Sequence, residues 1–344
     1  MKRLIFTIFL AGSCWFANAQ VAGPNIRYGD KLPPDVEVIY QRGLTWLVAN
    51  QTDDGSWSGS DDPGITGLCI MAFLASGEDP NFGRYAGPVR RALRSIILSQ
   101  NKTTGYLGNS MYHHGFGMLG LAEAYGAVDD TLLWDGTEDA EDRRTIGEAL
   151  DLAVRSAITS QNNNRWGGWR YSPESTDADT SVTGAVLVGL LAARNAGLEV
   201  PDENIDKALG YFKQSTGPNG MVAYSGGIGG MGESMNRSAI ATLVYSVGKK
   251  KDWDEFDATL KHLTDRIEHN ESSYPHYFRY YMAQALFQGD FESWQKWNAE
   301  TIRFLKQTQQ QDGSFPGSHG VAYGTAMSLL SLALNYRFLP IYER

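Results

Sequence analysis

The chain has 344 residues, with 30 Lys and Arg against 39 Asp and Glu, a net charge of −9, and 12% aromatic residues. Acids and bases are interspersed and form no basic stripe, which argues against nucleic acid and against an anionic membrane as partners. No stretch reaches the roughly 18 consecutive apolar residues of a membrane-spanning helix, so no transmembrane segment is expected.

The chain opens MKRLIFTIFLAGSCWFANAQ. Two cations, a short apolar run and the small residues Ala17-Asn18-Ala19 read as a secretory leader over residues 1–19. The expected location is therefore periplasmic or secreted. Cys14 falls in that leader, and Cys69, in the apolar run GLCIMAFLA, reads as a small core residue. Residues 20–34 read as an extended segment. One domain is expected over 35–344.

That domain repeats itself. Gln51-Thr-Asp-Asp-Gly-Ser-Trp57 returns as Gln309-Gln-Gln-Asp-Gly-Ser-Phe315, with looser copies at Gln100, Gln161 and Gln214. The starts lie 49, 61, 53 and 95 residues apart, and the last gap holds a degenerate unit with its turn near Asn270. The count is six. Each unit runs from an amphipathic helix through the turn to a more apolar helix. In the first unit Val36, Ile39, Tyr40, Leu44, Leu47 and Val48 share one face of a helix over 35–50. Its partner, 65–76, is apolar nearly all round. Equivalent apolar segments are 115–125, 182–196, 238–247, 277–287 and 321–336, while 129–142 reads as a polar insertion. Amphipathic helices outside and apolar helices inside make two layers. The last apolar helix needs cover, which contact with the first repeat would supply.

These turns resemble the repeat of squalene-hopene cyclases, oxidosqualene cyclases and protein prenyltransferase β subunits, over nearly the whole chain. The resemblance implies an all-α fold, a single α/α toroid of six helix hairpins. Gln51, Asp54, Trp57, Gln309, Asp312 and Phe315 then hold the ring together and do no chemistry.

If the inner helices run the same way, their N-terminal ends meet at one mouth. The residues just before them are Asp61 and Asp62; Tyr112, His113 and His114; Asp177 and Asp179; Glu233, Asn236 and Arg237; His276 and Tyr277; His319 and Tyr323. STDADTSVTG is similar to the Asp-x-Asp-Asp-Thr acid motif of class II cyclases. That resemblance makes Asp179 the proton donor and Asp177 its companion, with Thr180 in place of the third acid. Capping of the following helix is the competing role for Asp179. His113, His114, Glu233, Tyr277, Tyr280, His319 and Tyr323 are the candidate ligand contacts. Tyr274, Tyr277, Phe278, Tyr280, Tyr281, Trp294, Trp297 and Tyr323 crowd the last two repeats, either to line a cavity or to pack the ring. Asp177, Asp179, His113 or His114 and His319 have the chemistry of a metal set but no signature spacing, so neither metal nor cofactor is expected. The glycine-rich SGGIGGMGES, 225–234, reads as a mouth loop.

The expected function is binding of a small hydrophobic or amphipathic ligand at the mouth, with cyclase-like chemistry through a degenerate acid motif as its extension. A protein-binding toroid and a secreted glycosidase or lyase are the alternatives, because fold alone does not select among them.

Overall fold

A computed structural model describes residues 32–57, 62–137, 142–225, 232 and 234–342. Leu32–Arg344 forms one compact unit. Six outer helices, α1 (Pro34–Ala49), α3 (Ala86–Ser99), α6 (Ile146–Gln161), α8 (Asp202–Ser215), α10 (Asp254–Thr264) and α12 (Phe291–Thr308), alternate with six inner ones. The inner helices are α2 (Pro63–Leu74), α4 (Met111–Ala124), α7 (Thr180–Asn195), α9 (Met235–Val247), α11 (Pro275–Gly289) and α13 (Val321–Leu332). A short α5 (Asp130–Leu133) sits in the insertion before α6. Among the described residues there is no strand, only three isolated β-bridges.

The two layers follow from where apolar side chains fall. On α1 Val36, Ile39, Tyr40, Leu44 and Leu47 are buried, while Val48 is partly exposed at the end of the stripe. Residues Pro63–Phe73 of α2 are buried on every side, as an inner helix requires. Glycine lets the inner helices nearly touch: a Cβ on Gly67 would lie 2.3 Å from the Phe116 carbonyl oxygen of α4. Each inner helix packs on the next in the order α2, α4, α7, α9, α11, α13, and α13 returns to α2. The ring is closed, with α1 against α12 and α13 as the outer seam.

The repeated glutamine supplies the staple between units. Gln100 Nε2 donates to its own turn at Gly105 O and to Ala149 O of the next outer helix, both at 2.9 Å, while its Oε1 accepts from Arg144. Gln51 does the same with Gly55, Pro88 and Arg91. Gln309 repeats it across the seam, donating to Gly313 O and Ile39 O and accepting from Arg42. The last repeat thus treats the first as its successor. Gln161 also reaches both carbonyls, with Asn204 in place of the arginine. Gln214 does not belong to this set: it is exposed, and buried Ser215 stands one residue later in its register.

Five of the six inner helices begin two to four residues earlier than the apolar pattern suggests, and in three of them a side-chain cap marks the start. Asp62, Ser110 and Asp179 accept from the backbone N–H of Ile65, His113 and Val182, satisfying groups that a helix start otherwise leaves unbonded. Residues 333–342 do not continue α13. After a 3-10 turn, Arg337 lies over the Phe287 and Phe291 rings, and Leu339 and Ile341 are buried. Pro340–Tyr342 packs on α7, the inner helix opposite α13. This strap crosses the ring at the end away from the inner-helix N-termini.

Candidate functional site

Contacts among the first turns of the inner helices build one mouth. His113 of α4 stands 3.7 Å from Asp62, the cap of α2. Met111 N donates to Tyr171 O in the loop before α7. Tyr277 of α11 donates its hydroxyl to Ser181 O of α7, and Asn236 of α9 donates to Ser273 O just before α11. His276 bonds Pro316 O and Ser328 on the sixth repeat. Because α4 and α11 start early, Tyr112, His113 and His276 lie within first turns instead of in the preceding loops, and Tyr277 and Tyr323 also stand in the first turns of α11 and α13.

Asp179 is buried beneath this mouth. Its Oδ1 accepts the Val182 N–H at 2.9 Å, and its Oδ2 has no hydrogen-bond partner. Burial raises its carboxyl to about 6, against the lowering effects of the Val182 N–H and Arg170. Asp177 lies apart from it at the surface, half-exposed and paired with Arg170 at 2.6 Å. An extended segment would send residues two apart to the same face, but the chain bends at residues 176–177, and Asp177 is left at the surface while Asp179 is buried. His319 is exposed and stacks on Tyr274, 5.8 Å between ring centres, with Tyr323 edge-on at 5.1 Å.

His114 does not reach the mouth. Its Nδ1 accepts the Leu107 N–H and its Nε2 bonds Ala153 O on the outer helix α6. Fully buried, it has a pKa lowered to about 4, so it stays neutral and clamps its turn. Thr183 and Thr325 perform the same clamp by accepting the N–H of Trp169 and Phe315. Tyr280 is likewise fully buried, packed on Phe116 and Tyr281. Glu233 and Asp61, with most of the 225–234 loop, lie outside the described residues. No three His, Cys, Asp or Glu side chains among the described residues are grouped as a metal site would need.

Two contacts reach across the axis. Tyr112 and Phe116 on α4 meet Tyr277 and Tyr280 on α11, with ring centres 6.4 and 6.3 Å apart. In the ring order α4 and α11 are opposite, so aromatic side chains occupy the barrel axis from its first turn downward. Above them Tyr171 meets Tyr112 at 6.1 Å and shares a 2.9 Å hydroxyl bond with Tyr224. Arg170 lies over the rings of both Tyr171 and Tyr224. Tyr171 and Tyr274 are exposed. The sequence reading passed over Tyr171, Tyr224 and Arg170. Their only signal is position: Arg170 and Tyr171 directly follow the turn aromatic Trp169.

No sequence-family model matches the chain, and a comparison with curated proteins finds no match. Solved structures do match. An inactive variant of an α-1,6-mannanase of Salegentibacter sp. HEL1_6, in complex with α-1,6-mannotetrose, aligns with a TM-score of 0.61 at 9% identity, covering 89% of this chain and 100% of that one. The type II terpene cyclase MstE from Scytonema, as a variant holding geranylgeranyl dihydroxybenzoate, gives 0.59 at 14% identity over 89% and 98%. A GH76 α-mannanase of Bacteroides thetaiotaomicron gives 0.60 at 11% identity over 88% and 96%. The chain shares the all-α, α/α-toroid fold of these proteins. At these identities the likeness is one of fold, shared equally with glycan-cleaving and terpene-cyclising proteins, and the rim chemistry has to choose between them.

Proposed function

We propose that this toroid is an exported protein that binds a saccharide across its mouth. The observation that carries the reading is the pair of contacts across the axis, Tyr112 to Tyr277 and Phe116 to Tyr280. With aromatic rings filling the axis, a long polyene has no depth to fold into, and a ligand rests on the rim instead. The rim offers the exposed tyrosines Tyr171 and Tyr274 beside Arg170, Asp177, His113 and His319. Aromatic faces stack on the C–H faces of a sugar ring, and the surrounding polar groups meet its hydroxyls. The leader-like N-terminus agrees with an extracytoplasmic ligand. An α-mannoside is the first probe, because a solved neighbour holds one.

A second reading, a cyclase with a reduced acid motif, draws on Asp179, whose buried oxygen without a partner and carboxyl raised to about 6 suit a proton donor. It requires Tyr112 and Tyr277 to part.

The test is calorimetric titration of the mature chain with manno-oligosaccharides and other neutral oligosaccharides, alongside incubation with squalene. Saturable saccharide binding that Tyr171→Ala and Tyr274→Ala each weaken about tenfold, the loss of one stacking platform, supports the rim reading. Cyclisation of squalene that Asp179→Asn abolishes replaces it with the cyclase. Binding of no saccharide, or binding indifferent to both tyrosines, overturns it.

A further inference from the structure

Away from the mouth, a cleft of about 430 Å³ opens in the outer wall between the turn of the first repeat, α3 and the insertion that carries α5. We propose that this cleft is a second binding site, for a sugar acid, a pyranose ring bearing one carboxylate.

Two guanidinium groups in the lining, Arg91 and Arg94, explain the carboxylate, and Arg90 adds its charge beside them. Arg90, Arg91 and Arg94 lie on α3, and Arg91 and Arg94 line the cleft. Each is held by a neutral oxygen: Arg90 by Asn81 O, Arg91 by the Gln51 side chain, Arg94 by Leu133 O. Among the described residues none of the three has an ion-pair partner. Arg94 is half-buried, and burial followed by the neighbouring Arg90 and Arg91 charges lowers its pKa. A guanidinium this crowded and partly desolvated gains most from an anion it can grip through two parallel N–H bonds, which is the geometry of a carboxylate.

The rest of the lining explains the ring. Trp134 is only partly buried, and its Nε1 is already satisfied by Arg144 O at 3.0 Å, so what remains for the cleft is an apolar indole surface suited to stacking. At the opposite rim Asp53 and Asp54 are exposed. Asp54 Oδ1 accepts from Thr52 and Ser56, which lowers its pKa and keeps it an acceptor-only carboxylate. Two such acids repel a bare dianion and accept from hydroxyls. A ligand with one carboxylate, several hydroxyls and a ring face satisfies all three walls, whereas inorganic phosphate satisfies only the arginines.

The experiment is calorimetric titration of the mature chain with glucuronate and galacturonate, against glucose, galactose and inorganic phosphate as comparison ligands. Saturable uronate binding is expected. Arg94→Gln and Trp134→Leu should each weaken it about tenfold or more, the loss of a bidentate contact and of a stacking face. Arg94→Lys keeps the charge without the fork and should fall between Arg94→Gln and the parent chain. Circular dichroism melts verify that each variant is folded. Tyr171→Ala, at the mouth, should leave uronate binding unchanged, which separates this site from the saccharide rim. The proposal is overturned if neither uronate binds at up to about 10 mM, or if, with the mouth disabled by Tyr171→Ala and Tyr274→Ala together, glucose or phosphate binds as tightly. Binding that survives both Arg94→Gln and Trp134→Leu, or that Tyr171→Ala removes, overturns it equally.

Discussion

Replacing Gln100 by alanine removes one staple and leaves the rest of the ring untouched. The side chain is buried and makes three hydrogen bonds: to Gly105 O and Ala149 O at 2.9 Å, and from Arg144 at 2.6 Å. A neutral buried hydrogen bond is worth about 1 kcal/mol net, and one to a charged group about 1.5–3 kcal/mol. The substitution should therefore cost about 3–5 kcal/mol, since the two carbonyls and the guanidinium lose a partner that water at this buried position does not readily replace. Gln214→Ala provides the control. It alters the same residue type at what the sequence presents as an equivalent turn, but Gln214 is exposed near the end of α8. Its change should stay within about 0.5 kcal/mol, with alanine's higher helix propensity offsetting any loss. Urea unfolding at constant slope measures both, as shifts in midpoint. A cost below about 1 kcal/mol for Gln100→Ala, or equal costs for the two, would refute the account of the glutamine as an inter-repeat staple.

At the seam, Gly313 has φ 95° and an added Cβ would lie 2.4 Å from Arg42 O, so Gly313→Ala should destabilise by at least about 2 kcal/mol; an unchanged melting temperature would contradict the closed ring. Trp57 packs on Phe73 and donates to Leu47 O at 2.7 Å, so Trp57→Ala should cost about 3 kcal/mol, and a loss under about 1 kcal/mol in the urea midpoint series would mean that the turn aromatic is dispensable. Asp179 and His114 give stability opposite pH dependences. Burial raises the Asp179 carboxyl from 3.8 to about 6, so its contribution is present below pH 3.8 and lost as pH rises through about 6. His114 is lowered from 6.5 to about 4, so its contribution is present above pH 6.5 and lost as pH falls through about 4. Asp179→Asn keeps an oxygen for the Val182 cap and removes the first effect. It should unfold at higher urea than the parent at pH 8 but not at pH 4. An identical difference at both pH values would show that Asp179 is not held in a desolvated site.

The candidate site was legible by position and not by orientation. Asp62, Asp179 and the first turns of the inner helices stand where the repeat count places them, because each hairpin starts its inner helix at the same end of the ring, with Asp62, Ser110 and Asp179 as caps in the first three. Yet Asp177 faces solvent and Asp179 faces inward. His113 reaches the mouth while its neighbour His114 turns toward α6. The histidines are separated by the angle between successive side chains on a helix, and the aspartates by the bend at residues 176–177. Both matter only once the neighbouring element is in place. Ser215 makes the same point for the ring. The glutamine beside it completes the sequence pattern, but helix phase buries the serine and exposes the glutamine.

What the sequence determined by itself was the layering and the number of hairpins. Both are local properties, written in the spacing of apolar residues and in the recurrence of the Gln-to-aromatic turn, and they survive in any arrangement of neighbours. Tertiary structure decided that the ring closes through Gln309 and Arg42, that Tyr112 and Phe116 meet Tyr277 and Tyr280 across the axis, and that residues 333–342 leave α13 to cross its far end. These contacts join residues up to 267 positions apart. No local periodicity encodes them, because they depend on the curvature accumulated over six hairpins, and that curvature also sets how much space remains along the axis.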